Sequence, residues 1–177
     1  MALSLVGTTA PKFCMQSTKS ADLDQPVSLD DYRGRWLVLV FYPADFTFVC
    51  PTEMLAFSES APLFKAEQAS LIGVSSDGVH CHEAWQEFVL GRLAFPLAAD
   101  PTLSVCRDYG VLIEDEGVAQ RALFIVDPVG IVRYQVVHDG EVGRSVDEAL
   151  RVLRALRAGC SVPVDWQPGT ATIAPRV

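Results

Sequence analysis

Uninterrupted apolar runs mark the predicted strands of this chain. Trp36 to Tyr42 contains only apolar and aromatic residues, a pattern typical of a strand that is buried on both faces. Ser70 to Ser76 is a second candidate. Ala122 to Val126 and Ile131 to His138 predict a hairpin, because the four residues that begin at Asp127 place Asp, Pro and Gly where a type I turn prefers them.

Four segments between and after these strands have the pattern of helices. They are Pro51–Gln68, Gly78–Leu90, Asp100–Asp108 and Ser145–Ala158. Pro62 predicts a break or a kink in the first of them, because proline lacks the amide hydrogen that a helix interior needs. The third opens on Asp-Pro-Thr, which suits a helix start.

The last of these helices has the clearest signals. Ser145 and Glu148 predict a capping box at its start, and Gly159 ends it. Its acidic residues lie in the first turn and its basic residues in later turns, as the helix dipole favours. We interpret the basic residues as a solvated helix face and not as a binding patch. They are Arg151, Arg154 and Arg157.

The order of the elements predicts the fold class. Strand, helix, strand and helix are followed by a hairpin and a helix, which indicates an α/β domain of the thioredoxin type with extra elements. We expect this domain to cover residues 1–159. Residues 160–177 include Val, Trp and Ile without a helical pattern. They predict a C-terminal arm that packs either on its own domain or on another subunit.

The net charge of the chain disfavours nucleic acid as a partner. The 177 residues include 14 basic and 22 acidic side chains, for a net charge of −8, whereas nucleic-acid binding needs clustered lysines and arginines. Half of the residues are hydrophobic, which supports a sizeable core. No apolar stretch is long enough to span a bilayer, so we expect no membrane partner either.

The cysteines indicate the compartment. Their number is odd and their spacing is wide, which is typical of free thiols in a reducing compartment and not of a secreted disulfide framework. The apolar segment Met1 to Gly7 is short and lacks a basic flank, so it does not resemble a signal peptide. We therefore expect a cytoplasmic protein. The cysteines are Cys14, Cys50, Cys81, Cys106 and Cys160.

Cys50 is the candidate nucleophile. It lies between the predicted strand that ends at Tyr42 and the predicted helix that begins at Pro51. The positive partial charge at a helix N-terminus stabilises a thiolate, which is the reactive form of cysteine. Pro43 and Pro51 stiffen the loop. Thr47 offers a hydroxyl that accepts and donates hydrogen bonds.

From these residues alone, Cys50 is either a nucleophile or an inert core thiol. We expect the nearby phenylalanines Phe41, Phe46 and Phe48 to form a dry wall beside it. Pro-Thr-Glu follows the cysteine, so the chain lacks a Cys-x-x-Cys motif at this position and a disulfide exchanger is disfavoured. A lone activated thiolate suits a peroxide, whose weak O–O bond oxidises it to a sulfenic acid.

Three segments resemble one known family. The run from Phe41 to Glu53 is similar, almost residue for residue, to the active-site segment of the typical two-cysteine peroxiredoxins, of the alkyl hydroperoxide reductase C and peroxiredoxin-1-like subfamily. Gln120–Asp127 resembles the segment that carries the active-site arginine of that family, and Gly143–Glu148 resembles the segment of a second arginine. Without the resemblance, Arg121 either reaches the site or forms a surface pair.

The resemblance implies a role for each residue of the site. Pro43 would shield the pocket, Thr47 and Arg121 would position the peroxide oxygens, and Cys50 would be the peroxidatic nucleophile. The residues that would support them from behind are Glu53 and Arg144. The resemblance implies no metal, haem, flavin or other cofactor in this chain.

The chain departs from the family at the resolving cysteine. Val162 stands before Pro163, where the family has that cysteine, and Cys160 lies two residues earlier. We favour Cys160 as a displaced resolving thiol from the partner subunit. The alternatives are a one-cysteine enzyme that an external thiol reduces directly, or resolution by another cysteine. Those other candidates are Cys81, Cys106 and, least favoured, Cys14.

The resemblance therefore implies a thiol peroxidase. It would reduce hydrogen peroxide and small alkyl hydroperoxides through a Cys50 sulfenic acid, and a thioredoxin-type or flavoprotein-type reductant would recycle the disulfide. We expect a homodimer, assembled into a ring of dimers. The alternatives are a holdase-like chaperone or structural ring, and a peroxide sensor that passes its oxidation to a partner.

Two further expectations concern other parts of the chain. The segments that the family associates with sensitivity to excess peroxide, a Gly-Gly-Leu-Gly insertion and an added C-terminal helix, do not occur in the sequence, which predicts resistance to overoxidation. His80 to Glu83 contains two histidines and a cysteine but lacks the spacing of a zinc site. We expect half-exposed imidazoles there, and an exposed strand-end residue at His138.

Overall fold

The computed structural model describes residues 4–19, 22–23 and 25–173. Its strands are β1 (Cys14–Gln16), β2 (Pro26–Ser28), β3 (Trp36–Phe41), β4 (Ala69–Ser75), β5 (Leu97–Ala99), β6 (Leu112–Ile113), β7 (Val118–Ala119), β8 (Arg121–Val126) and β9 (Val132–His138). Its α-helices are α1 (Cys50–Ala66), α2 (Val79–Trp85), α3 (Ser104–Asp108) and α4 (Val146–Arg157). A short 3-10 helix covers Leu29–Tyr32, and a π-helical turn covers Gln86–Leu90.

A mixed five-stranded sheet forms the centre of the fold, in the order β5-β4-β3-β8-β9. β3, β4 and β5 are parallel, whereas β8 runs antiparallel to β3 and β9 antiparallel to β8. Ala122 of β8 pairs with Phe41 at the end of β3. The start of β8 therefore lies at the same end of the sheet as the loop that leads from β3 to α1.

Both faces of this sheet are covered, which explains why β3 is apolar throughout. Side chains alternate between the two faces of a strand. Leu37, Leu39 and Phe41 accordingly pack in one core cluster, with Phe124 among others. Val38 and its alternating neighbours pack in a second cluster with the apolar residues of α1 and α4. A strand buried in this way needs apolar residues at every position.

The sequence predicted the main elements correctly. The two buried strands and the hairpin lie within one or two residues of their expected bounds, a normal uncertainty for element ends. The turn between the hairpin strands closes through a hydrogen bond from the Gly130 amide to the Asp127 carbonyl (2.9 Å). The Asp127 carboxylate also accepts from the amides of Val129 and Ile131.

The predicted helices differ more from the observed ones. α1 continues through Pro62 instead of breaking there. The second predicted helix divides into α2 and the π-helical turn, and the third shortens to α3. In α4, the Ser145 hydroxyl accepts from the Glu148 amide (3.1 Å), as a helix cap should, but the Glu148 carboxylate binds Arg151. The capping box is therefore only half formed.

The interpretation of the α4 arginines as a solvated face was incomplete. Arg154 donates from Nε to a Glu67 carboxylate oxygen (3.0 Å), and Arg157 binds the other oxygen of the same carboxylate. Glu67 follows the last residue of α1, so these half-buried pairs join α4 to the end of α1. None of the helices in the described part of the chain combines the length and the apolar character that crossing a membrane requires.

Candidate active site

Cys50 is the first residue of α1 and is completely buried, with 0% of its surface exposed. The chain leaves β3 at Phe41, runs through a short loop and enters the helix at this cysteine. Pro51 follows within the first turn, where its missing amide hydrogen costs nothing because the first helical amides have no partner inside the helix. The sulfur therefore lies where the helix dipole is positive.

Arg121 reaches Cys50 because β8 is antiparallel to β3. It is the first residue of β8, so it lies next to the residue at which β3 ends. Its Nη1 lies 3.3 Å from the Cys50 Sγ and 2.8 Å from a Glu53 carboxylate oxygen, and its Nε donates to the Gly140 carbonyl (2.6 Å). Burial would lower the pKa of Arg121, but the contacts with Cys50 and Glu53 raise it, so this guanidinium stays charged.

Glu53 and Arg144 form a buried layer behind the sulfur. The Arg144 Nε and its backbone amide both donate to one Glu53 carboxylate oxygen (2.8 and 2.7 Å), and its Nη2 donates to the other (2.9 Å). Arg144 Nη1 also binds the carbonyls of Phe41 and Ala122, which ties the layer to the two central strands. Burial alone would raise the pKa of Glu53, but the hydrogen bonds and charges of Arg144 and Arg121 lower it below its ordinary value.

A cavity of about 330 Å³ opens over Arg121. Pro43 and Thr47 line it, together with Val49. The Thr47 hydroxyl donates to the Ala44 carbonyl (3.0 Å), so its oxygen lone pairs remain available to accept a hydrogen bond from a bound molecule. The structure thus brings Pro43, Thr47 and Arg121 to one cavity, and the Cys50 sulfur, which does not itself line this cavity, touches Arg121.

The expectation of a phenylalanine wall was wrong for Phe41 and Phe46, whereas Phe48 lines the cavity. Phe41 packs in the core against Tyr109 and Phe124. Phe46 is 54% exposed and adopts a positive φ of 55°, and Phe48 is 96% exposed at the cavity mouth. More than half of the surface of each of these two residues is exposed, which local sequence does not reveal.

The expectation of half-exposed imidazoles near α2 was wrong for His82, which is fully buried. Its Nδ1 lies 2.7 Å from one Asp45 carboxylate oxygen, and the other accepts from the Tyr42 hydroxyl (2.8 Å). The neighbouring Cys81 sulfur lies close to the carboxylates of Asp45 and Asp77. Burial, and then these two carboxylates, raise the pKa of Cys81 to about 12, so its thiol stays protonated near neutral pH.

The predicted resolving cysteine does not line the cavity over Arg121. Cys160 is exposed and lines a separate groove of about 670 Å³ between the end of α4 and residues 159–165. Cys14 is also exposed, whereas Cys106 is buried. Burial, and then the Asp100 carboxylate, raise the pKa of the Cys106 thiol well above its ordinary value.

Sequence reasoning missed several residues that line the cavity: Ile113, Glu116, Val118, Gln120, His138 and Glu141. His138 had been expected as an exposed strand end, but it is half-buried and pairs with Arg121 across the β8–β9 ladder. The predicted hairpin was the available signal. A ladder that continued from the Val126–Val132 pair without an irregularity would place Val137 opposite Arg121. The irregularity between Ile125 and Val126 moves the register to His138.

The fold and the site together define a class of protein. A mixed sheet is covered on both faces, and a buried thiol lies at the start of a helix that follows one of its strands. This thiol contacts a charged guanidinium that lines a small cavity. This is the arrangement of a thioredoxin-like thiol enzyme without a second cysteine in the same motif.

Comparison with known proteins identifies the family. The AhpC/TSA family profile matches residues 6–135. The chain is 50% identical over 171 residues to a putative peroxiredoxin in the rubredoxin operon of Clostridium pasteurianum, which covers 93% of this chain and 96% of the relative. It is 44% identical over 181 residues to a thioredoxin peroxidase of Echinococcus granulosus, over 97% and 93% of the two chains.

Solved structures agree with this result. The reduced 2-Cys peroxiredoxin of Plasmodium vivax matches with a TM-score of 0.93 and 34% identity, over 98% of this chain and 95% of that one. AhpC of Enterococcus faecalis matches with a TM-score of 0.83 and 33% identity, over 88% and 94%. The chain belongs to the AhpC/TSA family and is a thiol-dependent peroxidase of the peroxiredoxin type with a thioredoxin-like fold.

Proposed function

We propose that this protein reduces hydrogen peroxide and small alkyl hydroperoxides, with Cys50 as the nucleophile. One observation carries the assignment of Cys50. Its sulfur is fully buried at the start of α1 and lies 3.3 Å from the charged guanidinium of Arg121, and Arg121 in turn lines a cavity of about 330 Å³. Buried cysteines are usually inert. A positive side chain and a helix N-terminus at one sulfur instead favour the thiolate.

In the proposed reaction, the Cys50 thiolate attacks the hydroxyl oxygen of the hydroperoxide. An S–O bond forms as the O–O bond breaks, and two electrons pass from sulfur to the leaving oxygen. The leaving oxygen takes a proton from solvent and departs as an alcohol, or as water when the substrate is hydrogen peroxide. Cys50 becomes a sulfenic acid.

The neighbouring side chains have the geometry to assist this step. Arg121 already touches the sulfur, so its charge is in place when negative charge moves to the peroxide oxygens. Thr47 supplies an oxygen that accepts from the peroxide hydrogen, and Pro43 covers one side of the cavity. Glu53 and Arg144 hold Arg121 from behind.

Peroxide consumption with dithiothreitol as reductant tests the role of Cys50. We expect Cys50→Ser to abolish Cys-dependent turnover, because serine remains a neutral hydroxyl at neutral pH. Cys14→Ser is the matched control, since Cys14 is exposed and does not line the cavity. Turnover that survives in Cys50→Ser, or is lost equally in Cys14→Ser, would contradict the assignment.

For the second half of the cycle we propose that Cys160 of a partner subunit resolves the sulfenic acid. The Cys160 thiol would attack the Cys50 sulfur, form a disulfide and release water. Exposure supports Cys160, whereas the thiols of Cys81 and Cys106 are held protonated. Cys14 is exposed but lies within strand β1, whereas Cys160 lies in a segment without helix or strand.

Because Cys50 is completely buried, the first turn of α1 must unwind before this disulfide can form. One equivalent of peroxide, followed by non-reducing electrophoresis, tests the pairing. We expect a covalent dimer for the wild type and for Cys14→Ser, and none for Cys160→Ser. A dimer that persists in Cys160→Ser assigns resolution to another thiol, and monomers throughout indicate a one-cysteine enzyme.

The partners follow from this cycle. We propose a homodimer within a ring of dimers, with residues 160–177 as an arm that reaches the partner. β9 forms one edge of the central sheet, and an edge strand is a natural site of pairing with a second copy. A thioredoxin-type or flavoprotein disulfide reductase would reduce the disulfide. All five cysteines are free, which fits a reducing compartment such as the cytoplasm.

A further inference from the structure

The cavity over Arg121 is much larger than hydrogen peroxide. Its volume is about 330 Å³, whereas a water molecule occupies roughly 30 Å³ in the liquid. Much of its wall is apolar, from the side chains of Val49, Ile113 and Val118, with the exposed ring of Phe48 at the mouth. A cavity of this size and lining has room for an organic group attached to the peroxide.

The charges in contact with Arg121 balance during the proposed reaction. Arg121 and Arg144 contribute two positive charges, Glu53 contributes one negative charge, and the thiolate that the proposed reaction requires contributes a second. These groups are all buried and in contact with one another directly or through Glu53. The base therefore attracts an anionic substrate less than a free arginine would, and the charges nearer the opening decide whether an anion can enter.

Acidic residues surround that opening. The titratable side chains that line the cavity are Glu116, Arg121, His138 and Glu141. Glu116 follows β6 and Glu141 follows β9, so the two carboxylates approach the cavity from different elements. Both residues are exposed, and neither carboxylate forms an ion pair with any residue in the described part of the chain. Asp115 and Asp139, one and two residues away from these glutamates in sequence, are exposed as well.

We propose that Glu116 and Glu141 are specificity-determining residues that select uncharged organic hydroperoxides and repel those that carry a carboxylate. The inference rests on the proposed peroxidase function and adds the charge class of the substrate. The apolar wall accepts the organic group of an uncharged hydroperoxide. A carboxylate on that group would lie near two unpaired negative charges and would have no positive partner of its own, since Glu53 and the Cys50 thiolate already balance the positive charge of Arg121.

A tertiary alkyl hydroperoxide that carries a carboxylate, compared with its methyl ester, provides the test. The two compounds differ by one charge and have similar size. We would measure kcat/KM for both at pH 8, where an ordinary imidazole is neutral, and at about 20 mM ionic strength. We expect the wild type to prefer the ester, and Glu116→Gln/Glu141→Gln to raise the acid-to-ester ratio about three- to tenfold. The increase should shrink in high salt.

Glu59→Gln/Glu87→Gln is the matched control. It removes the same net charge from two exposed residues that do not line the cavity, so the acid-to-ester ratio should stay at the wild-type value. An equal ratio in the wild type and the cavity variant, or the same increase in the control, would overturn the inference. Hydrogen peroxide turnover by the wild type, measured in parallel, separates the two proposals. If the wild type consumes no peroxide, the proposed function fails and this inference fails with it.

Discussion

At the scale of single residues, Glu53 connects the charges of the site. It is 3% exposed, and its two carboxylate oxygens accept from Arg121 and Arg144. Each arginine then continues outward, Arg121 to the Cys50 sulfur and Arg144 to the carbonyl of Phe41. A single carboxylate thus fixes the guanidinium that touches the sulfur.

We predict that Arg121→Ala slows the reaction of Cys50 with peroxide by about 10²-fold, because it removes the charge that faces the sulfur. Glu53 keeps its bonds to Arg144 in this variant, so the fold should survive with reduced stability. Stopped-flow measurement of peroxide reduction gives the rate. Arg107→Ala, which removes only an exposed pair with Glu114, is the control. Equal rates in the two variants would remove Arg121 from the mechanism.

We predict that Glu53→Gln lowers the free energy of unfolding by about 3 kcal/mol at pH 7, because it leaves two buried guanidinium groups without their shared carboxylate. The pKa of Glu53 is lowered in the folded protein. Its ionisation therefore stabilises the fold above the unfolded pKa of about 4.5, and this contribution is lost as the pH falls through the lowered folded value.

Urea unfolding between pH 7 and pH 3 measures this contribution. The difference between the wild type and Glu53→Gln should narrow as the pH falls below about 4.5. Glu59→Gln, on the exposed side of the same helix, should change stability little at any pH. A Glu53→Gln difference that does not depend on pH would show that packing, and not the carboxylate charge, supports the site.

At the scale of the elements, helix α1 contains an unfavourable residue. Pro62 lies inside it and is exposed, and the helix continues past it. We predict that Pro62→Ala raises the free energy of unfolding by about 1–2 kcal/mol, since it restores a backbone donor and the gain exceeds the added entropy of the unfolded chain. Thermal unfolding checks this. Pro128→Ala, at a turn position that suits proline, should give no such gain, and equal effects would contradict the prediction.

The strands also show which elements local sequence can predict. β3 was predictable because a strand covered on both faces must be apolar at each position, and the hairpin because its turn residues have local preferences. β1, β2 and β5–β7 are two or three residues long, so they have no period to detect. The irregularity in the β8–β9 ladder also leaves no local signal, and it decides that His138 faces the cavity.

At the scale of the whole molecule, the candidate site depends on contacts between distant parts of the chain. Arg121 and Arg144 are 71 and 91 residues away from the groups that they bind, Cys50 and Glu53. No local pattern predicts such pairs, and only the resemblance to a known family singled these arginines out. The helix N-terminus at Cys50, by contrast, could be predicted from the apolar strand and Pro51 that flank it.

The proposed reaction requires that the Cys50 sulfur receives the peroxide oxygen. The measurement is one equivalent of hydrogen peroxide added to Cys160→Ser, followed by dimedone labelling and peptide mass mapping of the remaining cysteines. We predict the sulfenic acid label on Cys50 alone. In the Cys160→Ser/Arg121→Ala double variant, the label on Cys50 should be absent when the reaction is stopped early. A label on Cys14, Cys81 or Cys106, with Cys50 unmodified, would contradict the account.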